Sequence, residues 1–186
     1  LDICRRFVNK KIKAVFVNTG NEYPEIVKFV RSTDNVSIIT PKENIRDIIE
    51  KIGFPLISKE VAKGLYEAKN TKSKKLLRIR LFGTDSSKGY VSGKIPNKWH
   101  FLIKEPFMIS DKCCYYLKKK PLQKYQRETG EVPIIGTLAE ESNARKLQYI
   151  RRGGCNSYKE NHIASYPLSI WTEQDIYSYI QHFKLT

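Results

Sequence analysis

An alternation over residues 12–52 constrains this chain more than any other feature. Residues 12–17 (Ile-Lys-Ala-Val-Phe-Val) form a short apolar run, and Asn18-Thr19-Gly20-Asn21 closes it with turn chemistry, the pattern of a buried strand. Pro24 suits the first turn of a helix whose apolar face is Ile26, Val27 and Val30. Residues 35–39 repeat the strand pattern, Thr40 and Pro41 punctuate it, and Ile45, Ile48, Ile49 and Ile52 follow at helical spacing. Strand, helix, strand, helix with short connections predicts an α/β fold with a mostly parallel sheet, because parallel neighbours need a crossover between them. A further helix is expected over 58–69, with Ser58 as N-cap and Val61, Leu65 and Ala68 inward. Residues 132–137 read as a third strand and 139–150 as a helix. A last helix starts near Thr172, whose hydroxyl is placed to cap the Asp175 amide, with Ile176, Ile180 and Phe183 inward. Residues 1–9 read as the second half of a helix. Between Asn70 and Lys98 the periodicity weakens, and the reading is one domain over 1–186 with an insert or basic loop region at 70–110.

Composition narrows the function. The 186 residues carry 34 Lys+Arg against 19 Asp+Glu, a formal net charge of +15. An excess of that size fits an anionic partner such as nucleic acid, a nucleotide phosphate or a sulfate ester. Compositional bias is the alternative, since Lys, Ile, Asn and Tyr are all abundant. No stretch approaches the roughly 20 apolar residues of a membrane span, and the first residues lack the apolar run of a signal peptide. The four Cys have no paired spacing of a secreted disulfide framework, so the expected location is cytoplasmic. The first residue is Leu1 and the only Met is Met108, as expected of part of a longer translated product.

Three segments carry candidate chemistry. Asn18-Thr19-Gly20 lies at the carboxyl end of the first strand, where open α/β sheets bind ligands. Small residues there let a ligand approach the backbone, and Thr19 adds a hydroxyl; the alternative is an ordinary strand-to-helix turn. Gly136-Thr137 through Ser142 and Arg145 follows the third strand, so it is expected at the same sheet edge. Gly136 leaves the backbone open, Ser142 supplies a hydroxyl, and Arg145 suits bidentate binding of phosphate or sulfate. The alternative is a helix start in which Arg145 pairs Glu141 at i,i+4. Cys113-Cys114 precedes Lys118-Lys119-Lys120, and lysines beside a thiol favour its nucleophilic thiolate form. Cys4, Cys155 and the three His (His100, His162, His182) have neither ferredoxin nor zinc-ribbon spacing. No Gly-rich loop of Walker or dinucleotide type occurs. The basic run Lys72, Lys74, Lys75, Arg78 and Arg80, followed by Gly83, Gly89 and Gly93 and with Tyr115, Tyr116 and Tyr125 further on, is the basis of a rival reading as a nucleic-acid-binding module.

Together these segments resemble one family. Asn18-Thr19-Gly20-Asn21-Glu22-Tyr23-Pro24-Glu25 resembles its Asp-Thr-Gly-x-x-Phe-Pro-Glu element, with Asn18 in place of the acid. Cys113-Cys114 through Lys118 is similar to its Cys-Cys-x-x-x-Lys element. Gly136 through Arg145 is similar to Gly-x-x-x-x-Glu-Ser-x-x-Arg, and Pro167-Leu168-Ser169-Ile170-Trp171-Thr172-Glu173-Gln174-Asp175-Ile176 to Pro-Leu-x-x-Trp-Thr-x-x-Asp-Ile. The family is that of phosphoadenosine phosphosulfate (PAPS) reductase, in the PP-loop, adenine-nucleotide alpha-hydrolase-like superfamily, and the subgroup resembled is the one common in phages and mobile elements of low-GC bacteria. The resemblance implies a Rossmann-like three-layer sandwich. It implies binding of an adenine nucleotide (ATP, PAPS or APS) through Asn18, Thr19, Gly20, Gly136, Thr137, Ser142 and Arg145. It implies either an oxidoreductase acting on a sulfonucleotide with a thiol reductant as partner, or a PP-loop ATP pyrophosphatase or sulfurtransferase, and a homo-oligomer as its assembly. Cys113 and Cys114 are its implied iron–sulfur ligands, toward a [4Fe-4S] cluster in the complete protein. The family's Ser-Gly-Gly-Lys-Asp-Ser phosphate loop and its first strand are expected before Leu1, and its Cys-x-x-Cys after Thr186. No position matches its catalytic thiol. A degenerate member serving as an interaction module is the remaining alternative.

Overall fold

The computed structural model describes residues 1–84, 92–159 and 162–185. Gly89, one of the loop glycines above, lies outside the described residues. The chain divides into two compact units, residues 13–123 and residues 1–12 with 124–186.

In the first unit, β1 (Ala14–Val17) and β2 (Val36–Ile39) pair in parallel, Ala14 opposite Val36 and Val17 opposite Ile39. Helix α2 (Pro24–Ser32) is the crossover, with Pro24 in its first turn. Helix α3 (Ile45–Ile52) begins at a reciprocal cap: the Asn44 side chain accepts the Asp47 N–H at 3.0 Å, and the Asp47 carboxylate accepts the Asn44 N–H. Its Ile48 is buried. The expected alternation is therefore present, and the chain is a mixed α/β protein with a small parallel sheet.

Helix α4 (Lys59–Asn70), capped by Ser58, anchors a core cluster in which Ala62, Leu65 and Ala68 pack with Ile95, Leu102 and Ile109. Helix α5 (Lys74–Phe82) continues the basic run. The sequence hides it because Lys74, Lys75, Arg78 and Arg80 interrupt its apolar residues and blur the helical spacing. Arg80 is drawn inward by Glu67, with Nε 2.6 Å from the carboxylate, and donates to the Gly93 carbonyl at 2.9 Å. A 3-10 helix spans Asn97–Ile103. Gly53 has φ +105°, and a Cβ there would overlap the Met108 carbonyl. That close approach lets Phe54 bridge to Ile109, with the Phe54 N–H bonded to the Met108 carbonyl at 2.8 Å and Ser110 N–H to the Phe54 carbonyl at 3.0 Å.

Cys113 and Cys114 open a helix that passes through a π turn, Tyr115–Lys119, into α6 (Lys120–Thr129). The Lys120 N–H reaches back five residues to the Tyr115 carbonyl. Pro121 has no N–H to offer the Leu117 carbonyl, so the ordinary four-residue register cannot close there.

In the second unit, α1 (Asp2–Phe7) and α8 (Glu173–His182) are joined by side chains: the Tyr179 hydroxyl donates to Asp2 at 2.6 Å, and Arg6 lies over the Phe183 ring. Thr172 caps α8 at the Asp175 N–H, as expected, and Asp175 returns the bond. Ile180, expected inward, is 38% exposed. Helix α7 (Asn143–Arg152) starts later than 139, because Ser142 caps it at the Arg145 N–H. The third strand over 132–137 does not form as a ladder. Only Ile134 bridges, in parallel, to Ser165, whose N–H goes to the Pro133 carbonyl and whose carbonyl takes the Ile135 N–H. Pro133 removes one donor that a ladder would need. Further along the chain, β3 (Asn156–Lys159) and β4 (His162–Ser165) pair antiparallel.

Candidate functional site

The turn after β1 is built by its own side chains. The Asn18 N–H still bonds to the Ile39 carbonyl, so the sheet carries one residue past Val17. The Asn18 side-chain oxygen then accepts the Gly20 N–H at 3.0 Å, and Gly20 takes φ +81°, a conformation glycine adopts without strain. Thr19 is 6% exposed. Its N–H donates to Glu22 at 2.8 Å and its hydroxyl to the same carboxylate at 2.8 and 2.9 Å. Asn18 and Gly20 line a cleft of about 420 Å³ with Glu22, Pro24, Val27, Lys28 and Arg31. Of the three expected residues, Asn18 and Gly20 thus face open space, while Thr19 holds the turn from behind.

The carboxylate of Glu22 also meets the Lys118 ammonium at 3.4 Å. Burial pushes the Glu22 carboxyl up, but the Thr19 bonds and Lys118 more than offset it, and its pKa lies below the ordinary carboxylate value. Lys118 is the lysine of the Cys-Cys-x-x-x-Lys pattern, and it sits on the π turn. The first unit therefore joins two of the sequence elements through Glu22, a spacer residue that sequence reasoning did not single out. Cys113 is half-buried and Cys114 exposed. Among the described residues, no group of three or more His, Cys, Asp or Glu is placed to hold a metal ion. Cys113 and Cys114 offer two thiols where a [4Fe-4S] cluster takes four ligands, so the described residues do not fit that group.

The second unit joins the other two elements. The Ala139 N–H bonds to the Ser169 carbonyl at 3.1 Å, and the Glu140 carboxylate accepts the Glu173 N–H at 3.0 Å. Gly136 has no positive φ, and a Cβ there would meet Leu168 at an ordinary 3.6 Å. Thr137 is partly buried. The Glu141 carboxylate accepts the Leu138 N–H at 2.9 Å and pairs with Arg145 Nε at 2.6 Å. The i,i+4 pairing weighed for Arg145 is thus present, and the Ser142 oxygen is occupied as a cap. Arg152 also emerges here: it stacks on Tyr166 with its guanidinium 3.7 Å from the ring centre and donates to Ser169 at 3.0 Å. An Arg near a helix end reads in sequence only as a dipole complement.

No helix among the described residues is long and apolar enough to cross a membrane. A sequence model of one family, described as phosphoadenosine phosphosulfate reductase domain, matches residues 62–186, about two thirds of the chain. The match spans Cys113-Cys114, Gly136–Arg145 and Pro167–Ile176 and stops short of the turn after β1. A search among curated proteins finds no match.

Proposed function

The chain belongs to the phosphoadenosine phosphosulfate reductase family, and from that premise we propose an adenine-nucleotide-binding enzyme domain acting in sulfonucleotide reduction or ATP-dependent sulfur transfer. One observation carries the reading: a cleft opens at the carboxyl end of the parallel pair, lined by Asn18 and Gly20 of the Asn-Thr-Gly turn. That is where an α/β sheet presents backbone and small side chains to a ligand. Pro24 and Val27 give the cleft an apolar wall suited to a planar base, and the Asn18 amide adds a donor.

On the resemblance of their sequence elements to the family's, we assign Asn18, Thr19, Gly20, Gly136, Thr137, Ser142 and Arg145 as nucleotide-binding residues. Arg145 is 42% exposed in its side chain, so exchanging Glu141 for an anion needs only a rotamer change. We assign Cys113 and Cys114 as redox thiols served by a partner thiol reductant, and no residue as nucleophile. The parallel pair with its crossover helix is read as part of a Rossmann-like three-layer sandwich, and 1–186 as one domain of that kind.

Thermal unfolding with ATP, PAPS and APS tests the function. A ligand at about 100 times its Kd adds roughly 2.7 kcal/mol to the folded state, which the melting temperature reports. Arg145→Ala should weaken the effective nucleotide about tenfold. The reading fails if none of the three raises the melting temperature at millimolar concentration. Salt-sensitive nucleic-acid binding with no nucleotide effect would favour the rival carried by Lys72, Lys74, Lys75 and Arg78, all exposed.

A further inference from the structure

The charge of the cleft beside β1 is not explained by Asn18, Thr19 or Gly20. Pro24, Val27, Lys28 and Arg31 recur at i, i+3, i+4 and i+7, so a single face of α2 forms one wall. Glu22 is the sole acid among the described residues of the lining, and its carboxylate is taken by the Thr19 N–H, the Thr19 hydroxyl and Lys118. Lys28 and Arg31 form no ion pair and no side-chain hydrogen bond among the described residues. The cleft therefore presents two unopposed cations, spaced i,i+3 with their Cβ atoms about 5–6 Å apart, close enough to share one tetrahedral oxyanion.

We propose that Lys28 and Arg31 bracket a phosphate or sulfate group of the ligand that fills this cleft. The ligand's identity as an adenine nucleotide rests on the function proposed above; the oxyanion does not. Arg31 supplies a planar fork that can engage two oxygens, and Lys28 a point charge on the same group. The group lies along α2 rather than at its N-terminus. Arg31 is about 10 Å further along the helix than Pro24 at 1.5 Å per residue, which leaves Pro24 and Val27 free to pack against the uncharged part of the ligand.

The test compares AMP, adenosine and inorganic sulfate on the full 186-residue chain, by calorimetry, for wild type, Lys28→Ala, Arg31→Ala and Arg31→Gln. Both side chains are exposed, so the variants should melt with the wild type. The expected result is an AMP Kd raised about tenfold or more in each variant, with adenosine changed less than about twofold, and a wild-type AMP affinity that falls with added salt. AMP binding unchanged in Arg31→Ala overturns the proposal and leaves the nucleotide reading intact. Equal loss of AMP and adenosine in a folded variant also overturns it. Sulfate binding that is lost in Arg31→Ala, with no wild-type binding of AMP or adenosine, sustains the oxyanion site and removes the nucleotide. Wild type that binds neither AMP nor sulfate ends the proposal.

Discussion

Glu22 is the most informative residue to perturb, because its carboxylate fastens the turn after β1 and draws Lys118 to it. In Glu22→Ala the Thr19 N–H loses its acceptor in a residue only 6% exposed. A buried donor left unpaired costs about 1–3 kcal/mol. Lys118 is 54% exposed in its side chain, and a pair of that kind contributes roughly 0–1 kcal/mol. The expected loss is about 1–4 kcal/mol, and about 1 kcal/mol or less for Glu22→Gln, which keeps an acceptor for Thr19. The pH dependence has a definite sign. The folded pKa of Glu22 is depressed, so its stabilisation is complete above the unfolded value of about 4.3 and is lost as pH falls through the folded pKa. Wild type should therefore converge on Glu22→Gln in acid. Urea unfolding reads this out, with Trp171→Phe as background so that Trp99 alone reports the unit that contains Glu22. A Glu22→Ala protein within about 0.5 kcal/mol of its parent at pH 7, the level of an ordinary surface change, would refute the reasoning.

Gly53→Ala should destabilise by about 3 kcal/mol or more, since φ +105° and the Met108 carbonyl both exclude a Cβ; unfolding midpoints measure it, and a neutral substitution would mean that the Phe54–Ile109 bridge gives way freely. Anaerobic reconstitution of this chain should leave little iron and acid-labile sulfide, as two adjacent thiols cannot complete a four-ligand set. A stoichiometric cluster would refute this ligand count.

The first half of the fold was legible because its signals are local. The apolar runs at β1 and β2, Pro24, the Ser58 cap and the isoleucine spacing of α3 each act within one turn or one strand. The hairpin was not legible, because its pattern is inverted: Ser157 is buried and Tyr158 is 82% exposed. Alternation there marks no apolar face. Helix α5 interleaves Lys74, Lys75, Arg78 and Arg80 with five apolar residues, and α6 is rich in Lys, Arg and Gln with only Leu122 and Tyr125 as large apolar side chains, so neither shows a full apolar stripe. The strand expected over 132–137 had the right apolar content, but Pro133 permits a bridge and not a ladder.

The candidate site was legible as four separate elements, while the residues that join them lie in the spacers. Glu22 and Glu140 occupy positions at which any residue satisfies the pattern, and each accepts a backbone N–H: Glu22 that of Thr19, within its own turn, and Glu140 that of Glu173, in another element. Such contacts depend on where the chain folds back, which no local spacing encodes. Asn18 gives this arrangement its electrostatic consequence. An acid at that position would have put a second negative charge on the cleft wall. With an amide there, Glu22 is the sole carboxylate among the described residues of the lining, and Lys118 and the Thr19 donors already hold it. What remains for a ligand is the field of Lys28 and Arg31. With Asn18 neutral, the described lining sets one carboxylate against the two cations.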